Sequence, residues 1–218
     1  MPKDISIARY SRQTLAVGKA SQQKIRSLSL GIIGLGGIGG FSAVLCAQMG
    51  VKRIVAADMD VVDASNLGRQ ILYSHEDLGK LKAEVAKGKL EKINLDVKID
   101  TFAEIIDSEN IGKFFKPCGT ILDCTDNYET RVAIDEYCRK RKIPWIYAGA
   151  IGTEAMARLV LPTGKSFAQW AKKPTGKFTC AQVGVVNAAC GMAAAMQIGK
   201  MVAFANGKKS AKLDYFKF

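Results

Sequence analysis

The sequence is poor in the residues that most often carry acid–base, metal and redox chemistry. It has one histidine in 218 residues, His75, in a stretch that reads as a loop. Its six cysteines (Cys46, Cys118, Cys124, Cys138, Cys180 and Cys190) are scattered, and no two form a C-x-x-C pair. That spacing argues against a zinc knuckle or a dithiol redox pair and suits small buried apolar residues of a cytoplasmic protein. Residues 1–12 mix acidic and basic side chains and lack the apolar core of a signal peptide, so the chain is expected in the cytoplasm. No repeat, low-complexity tract, zinc finger, RNP-type aromatic motif or dense basic run is present. The net charge of +12 therefore reads as a lysine-rich solvated surface, and no nucleic-acid partner is expected. Only Val183 to Ala205 approaches the length of a membrane span. Asn187, Gln197 and Lys200 interrupt it, and its alanines and glycines suit a helix packed closely on a neighbour, so no membrane is expected.

What remains is 48% hydrophobic and 24% charged, an ordinary globular composition at a length that suits one domain, 1–218. The informative stretch is Leu30–Gly40. Leu28, Leu30, Ile32 and Ile33 form an apolar run of strand length, Gly34, Gly36, Gly37 and Gly39 follow, and Phe41 to Met49 then takes up helical spacing. Strand, tight turn and helix in that order make an anion site: glycine lets the backbone approach a phosphate, and the free N–H groups of the helix start attract its charge. Arg53 to Asp58 reads as a second strand ending in an acid, the position from which a βαβ unit hydrogen-bonds a ribose. Asp58 is the ribose candidate, with Asp60 beside it.

A polar loop, Ser65 to Gln70, then carries Asn66, Arg69 and Gln70 ahead of a lysine-rich amphipathic helix predicted over Leu78 to Asn94, which contains Lys82. An amide, a guanidinium and an ammonium grouped just beyond a ribose acid match a triphosphate. Further strands are predicted over Val97 to Phe102, Gly119 to Cys124, Pro144 to Ala150, Glu154 to Leu161 and Ala211 to Phe218. Helices are predicted over Asp107 to Phe115, Tyr128 to Arg141 and from about Val183. Asp126 and Asn127 follow the fourth strand, on the ligand side of such a sheet; Asp126 is the magnesium candidate, and the pair can also cap the helix behind it. Residues 1–27 read as a helical arm outside the sheet, and 162–179 as a loop long enough to cover a site or cross to a partner chain. The alternation gives an α/β, doubly wound, Rossmann-like sheet, mostly parallel, with antiparallel strands toward the C terminus.

Taken together, R-Y-S-R-Q (Arg9–Gln13), G-L-G-G-I-G (Gly34–Gly39), D-M-D (Asp58–Asp60), S-N-L-G-R-Q (Ser65–Gln70), Lys82 and D-C-T-D-N (Asp123–Asn127) resemble the ThiF/MoeB group of ubiquitin-activating-enzyme-like adenylyltransferases. The resemblance implies attack of a carboxylate on the α-phosphate of MgATP, with release of pyrophosphate. It implies Gly34, Gly36 and Gly37 along the nucleotide, Asp58 on the ribose, and Asn66, Arg69, Gln70 and Asn127 around the nucleotide and its phosphates. Lys82 is then at the α-phosphate, Asp126 on Mg²⁺, and Arg12 reaches into the neighbouring subunit of a homodimer. Cys180 aligns with a cysteine that in some relatives links covalently to a carrier protein.

Two departures from the group are visible. Phe167 and Trp170 stand near positions where some members carry zinc-binding cysteines, and the chain stops at Phe218, so no zinc is expected and apolar packing there is a hypothesis. The acceptor is either the C-terminal glycine of a ubiquitin-like sulfur carrier or a small-molecule carboxylate. The compact, zinc-less form resembles the adenylating enzyme of iron-guanylylpyridinol cofactor biosynthesis. The rival is an NAD-dependent oxidoreductase, which the glycine turn and Asp58 permit but which leaves Arg69, Lys82 and Asp126 without a joint purpose.

Overall fold

A computed structural model describes residues 3–171, 173 and 183–218, with the side chains described from residue 8 onward. Its centre is one seven-stranded sheet in the order β3-β2-β1-β4-β5-β6-β7. The strands are β1 (Ser29–Ile33), β2 (Arg53–Ala57), β3 (Lys98–Phe102), β4 (Thr120–Asp123), β5 (Trp145–Ile151), β6 (Glu154–Val160) and β7 (Asp214–Lys217). The first five are parallel; β6 and β7 add antiparallel strands at one edge. The predicted α/β fold class is therefore the one observed.

Successive residues of the central strands face opposite layers, and both layers are apolar, as a sheet covered on both sides requires. Leu30, Ile32, Ile54, Ala56 and Leu122 face one core with α2 (Lys19–Ser27), α3 (Gly37–Met49) and α4 (Lys82–Ile93). Ile33, Val55, Ala57 and Ile121 face the other, with α5 (Ile111–Phe115), α6 (Tyr128–Arg141) and α7 (Phe167–Trp170). The long helix α8 (Asn187–Ala205) is apolar enough to resemble a membrane span, yet it lies on the first layer with Ala189, Cys190, Ala193, Ala194, Ile198 and Met201 buried. Gln197, in its middle, is fully buried. Its amide nitrogen donates to the carbonyls of Asp123 and Ile146, and its oxygen accepts from Ser42 Oγ at 2.7 Å. The polar interruption of α8 thus clamps the helix to β4, β5 and α3.

The helical arm is α1 (Lys3–Val17) followed by α2. It is fastened at the carboxyl end of α3, where Tyr10 is buried against Gly50 and accepts from Asn94 at 2.8 Å. Two predicted helices are shorter than their sequence pattern. Asp107 accepts from the Glu109 and Asn110 amides in a local turn, so α5 begins only at Ile111. The second case, α4, begins at Lys82 instead of Leu78 because Val61 and Leu81 form an isolated antiparallel bridge. The Phe167 and Trp170 hypothesis has a physical counterpart: Phe167 packs on Tyr128, Trp145, Tyr147 and Trp170 at ring separations of 5.1, 5.9, 6.3 and 5.1 Å. The buried Asp135 holds the start of the same turn, accepting from Phe167 N and Trp145 Nε1, each at 3.0 Å.

Candidate active site

The strand order places the site. From β1 the chain moves outward through β2 to β3, then returns to the other side of β1 for β4, so the loops after β1 and β4 diverge at the middle of the sheet. Ligands bind doubly wound sheets at that divergence. Here the two loops touch. Gly34 has φ +90°, and a Cβ on it would stand 2.7 Å from the Cys124 carbonyl oxygen. Only glycine allows this backbone-to-backbone approach.

A cavity of about 560 Å³ opens over the two loops, within the range of about 300–1,000 Å³ usual for small-ligand sites. Gly34, Gly36, Gly37, Asp58, Asn66, Arg69, Gln70, Lys82, Asp126 and Asn127 all line it. The structure thus brings together ten of the sequence candidates, which span 94 positions from Gly34 to Asn127. Arg12 does not line it; it is exposed on α1. Cys180 and part of the predicted crossover loop lie outside the described residues.

Each wall has its own physical basis. Gly36 and Gly37, at the start of α3, line the cavity, and a Cβ added to Gly36 would meet only Gln70 Nε2, at 3.7 Å. Asp58 directly follows β2 and accepts from Leu35 N at 2.6 Å and Asp60 N at 2.9 Å. Burial raises the pKa of its carboxyl, against the lowering effect of the Leu35 amide, Lys82 and the Asp60 amide. Asn66 closes a capping turn with Asp63, its oxygen accepting from Asp63 N. Arg69 is held by Ser65 O at 2.7 Å. Lys82 is 4% exposed, with its ammonium 2.8 Å from Asp60 Oδ2. At the fourth-strand loop the two candidate duties divide: Asn127 caps α6 by accepting from Thr130 N at 2.7 Å, while Asp126 stays exposed on the cavity wall.

Several lining residues carry no motif that sequence reasoning could use. Arg131 reaches from α6 to Asp123 Oδ2 at 3.0 Å and to the Thr125 carbonyl, and lies 4.8 Å over the Tyr147 ring. Asp123 is fully buried and also accepts from Thr125 N and Oγ1, so the turn that presents Asp126 rests on a buried ion pair. The only available signal was the arginine one helical turn beyond the D-C-T-D-N motif. Tyr147, Gly149, Met156 and Val185 form the opposite wall, between β5, β6 and the segment ahead of α8. Gly149 inside a strand was a hint of close backbone approach: a Cβ there would meet Tyr147 Oη at 2.6 Å.

The residues suit a nucleotide triphosphate. A glycine turn at a helix start, a guanidinium and an ammonium line one space, together with the carboxylates of Asp58 and Asp126. Gln70 is 4% exposed, and its Oε1 is buried without a hydrogen-bond partner, a cost of about 1–3 kcal/mol that a ligand donor would relieve. Of the carboxylates on the wall, Asp60 is paired with Lys82 and Asp58 with two backbone amides, while Asp126 stays exposed and suits Mg²⁺, which is commonly held by one or two carboxylates together with substrate phosphates. No group of three or more His, Cys, Asp or Glu side chains that could hold a metal occurs among the described residues. Four of the described cysteines give no reactive thiol signal: burial pushes Cys46 and Cys118 up to about 12 and raises Cys124 and Cys138.

Several known proteins are similar to this chain. The "Sulfur carrier protein ThiS adenylyltransferase" of Bacillus subtilis (strain 168) is 32% identical over 207 residues, which cover 92% of this chain and 62% of that protein. The protein of the same name from Escherichia coli (strain K12) is 32% identical over 209 residues, covering 94% of this chain and 83% of its own length. The "Molybdopterin-synthase adenylyltransferase" of Haemophilus influenzae is 36% identical over 148 residues, 67% of this chain and 61% of that protein. Among solved structures, PaaA superposes with a TM-score of 0.83 at 20% identity, covering 100% of this chain and 72% of that one. Escherichia coli MccB with ATP gives 0.80 at 23% identity, covering 96% and 70%. At those identities the likeness is one of fold. A model of the ThiF family matches residues 10–218, and with relatives at this identity and coverage the chain belongs to the ThiF family.

Proposed function

We propose that this chain is an ATP-dependent adenylyltransferase that converts a carboxylate into an acyl-adenylate. The observation that supports the reading best is the convergence of Lys82, Arg69, Asp126 and the glycine turn on one cavity at the sheet's divergence point. The names of relatives at 32% identity point the same way. In this reading Asp58 accepts from the ribose hydroxyls, the amides at the start of α3 face phosphate oxygens, and Arg69 and Lys82 neutralise charge on the triphosphate. Asp126 would hold magnesium, which when bound offsets phosphate charge as pyrophosphate departs. The acceptor carboxylate oxygen attacks the α-phosphorus, the bond to the bridging oxygen breaks, and pyrophosphate leaves with that electron pair. Positioning and charge neutralisation suffice for such a transfer, and no dedicated acid–base pair is needed.

The acceptor is proposed to be the C-terminal carboxylate of a small ubiquitin-like sulfur carrier, in keeping with the names of the relatives. Arg12, exposed and away from its own cavity, is assigned to the cavity of a second copy in a homodimer. The test is exchange of labelled pyrophosphate into ATP. Exchange that requires a carrier ending in glycine supports the proposal, and exchange that requires a small carboxylate reassigns the acceptor. A chain that binds ATP yet supports no exchange with either class refutes adenylation.

A further inference from the structure

Lys82 is an unusual place for a solvated surface lysine. It opens α4, it is 4% exposed, and its ammonium lies on a cavity wall with a carboxylate at 2.8 Å. Its position comes from a short antiparallel ribbon that the sequence pattern hides inside a helix. Val62 N donates to Lys80 O at 2.8 Å, Gly79 N to Val62 O at 2.9 Å, and Lys82 N to Asp60 O at 2.9 Å, around the Val61–Leu81 bridge. Gly79, at φ +78°, lets the chain turn back into this ribbon. The ribbon sets residues 60 and 82 opposite one another, so Asp60 meets Lys82 through both backbone and side chain. Asp60 also donates its amide to Asp58 Oδ1, tying the ribose candidate to the same unit.

We infer that Asp60 is a positioning residue: it holds the buried Lys82 ammonium in place and aimed at the phosphate end of the cavity. The inference rests on the proposed nucleotide function for its consequence, and on geometry alone for its premise. A buried ammonium keeps one geometry only where a hydrogen-bonding carboxylate or similar acceptor lies beside it. The other groups near Lys82 are Asp58 directly after β2, Asp63 in the following turn, and Tyr73, whose hydroxyl is 3.5 Å from the Lys82 carbonyl. Arg69 and Asp126 share the cavity. Among the ion pairs of the described residues, only Asp60 touches the ammonium. Its own side chain is 55% exposed, so replacing it leaves the core intact.

The experiment compares wild type, Asp60→Asn and Asp60→Glu in two ways. The first is competitive acetylation of lysines by acetic anhydride at one fixed pH in the protein without nucleotide, with the Lys82 peptide read by mass spectrometry against the other lysine peptides. The expected result is Lys82 labelling at least about threefold faster in Asp60→Asn than in wild type, with Asp60→Glu restoring most of the protection. The second is ATP–pyrophosphate exchange, in which kcat/KM for ATP is expected to fall about 10- to 100-fold in Asp60→Asn and to recover in Asp60→Glu. Unchanged Lys82 labelling in Asp60→Asn overturns the inference. Faster labelling in a protein whose wild type supports no exchange leaves the positioning role standing and refutes the adenylation reading instead.

Discussion

Replacing Gly39 by alanine tests whether the glycine turn is shaped by packing as well as by phosphate. Gly39 lies in the first turn of α3, where alanine alone would stabilise the helix by about 0.5–1 kcal/mol. Its added methyl, however, would overlap the Gly34 carbonyl oxygen, stand 2.8 Å from the carbonyl carbon, and lie 3.2 Å from Cys124 Cβ. The obstacle is backbone, so α3 must move away from β1, an overpacking cost of about 1–3 kcal/mol. The net expectation is a loss of about 1–2 kcal/mol. For a chain of this length each kcal/mol moves Tm by about 2–4 °C, so a fall of about 2–8 °C is expected in a thermal melt followed by circular dichroism. Gly36→Ala is the control. Its methyl meets only Gln70 Nε2 at 3.7 Å, so Tm should stay within about 1 °C while the methyl occupies space at the cavity wall and weakens ATP binding at least about tenfold. A Gly39→Ala protein as stable as wild type, or a Gly36→Ala protein that melts early and binds ATP normally, refutes the reasoning.

Asp126→Asn should lower exchange activity and raise the magnesium concentration needed for half-maximal rate, measured by titrating MgCl₂ at fixed ATP; an unchanged magnesium curve removes the ligand role. Arg12→Ala mixed with Asp126→Asn under conditions of subunit exchange should recover part of the lost activity, because one hybrid cavity is complete; no recovery despite verified exchange counts against a shared site. Gln197→Leu should cost about 2–4 kcal/mol in urea unfolding, since it removes donors to Asp123 O and Ile146 O and leaves the Ser42 hydroxyl without its buried acceptor. Asp77, at the end of the turn before Gly79, is desolvated, which raises its pKa, but bonds from Lys89 and from the amide and hydroxyl of Ser74 outweigh this and hold it down to about 2. A carboxyl depressed in the folded state binds fewer protons than in the unfolded chain, so its stabilisation is present above the ordinary carboxylate range and is lost as pH falls from about 4 through 2. Asp77→Asn should therefore flatten the acid limb of a urea-midpoint profile in that window; an identical acid limb shows that the Lys89 pair does not supply it.

The elements with strong periodicity were legible in the chain. The helix Tyr128–Arg141 was legible to the residue, because Asn127 supplies a cap and Lys142 ends it in the left-handed region at φ 57°. The strands Ser29–Ile33, Arg53–Ala57 and Glu154–Val160 follow from apolar and β-branched runs bounded by turns. The 78–81 ribbon was not legible. Leu78 and Leu81 fit a helical pattern, and only pairing with residues 61 and 62, distant in sequence, holds them out of the helix. The opposite wall of the cavity was hidden for the same reason, since Tyr147, Met156 and Val185 carry no local motif and meet only after β5, β6 and the approach to α8 assemble.

The sequence by itself determined the doubly wound class, the glycine turn at the head of α3 and the identity of the charged side chains around it, because each depends on short-range spacing along the chain. The tertiary structure decided which charges face one another. It gave Lys82 to Asp60, Arg131 to Asp123, the helix cap to Asn127 and the open cavity wall to Asp126. The physical reason is that ion pairing and burial depend on distance in space, and for residues 22 positions apart that distance is set by sheet order and packing.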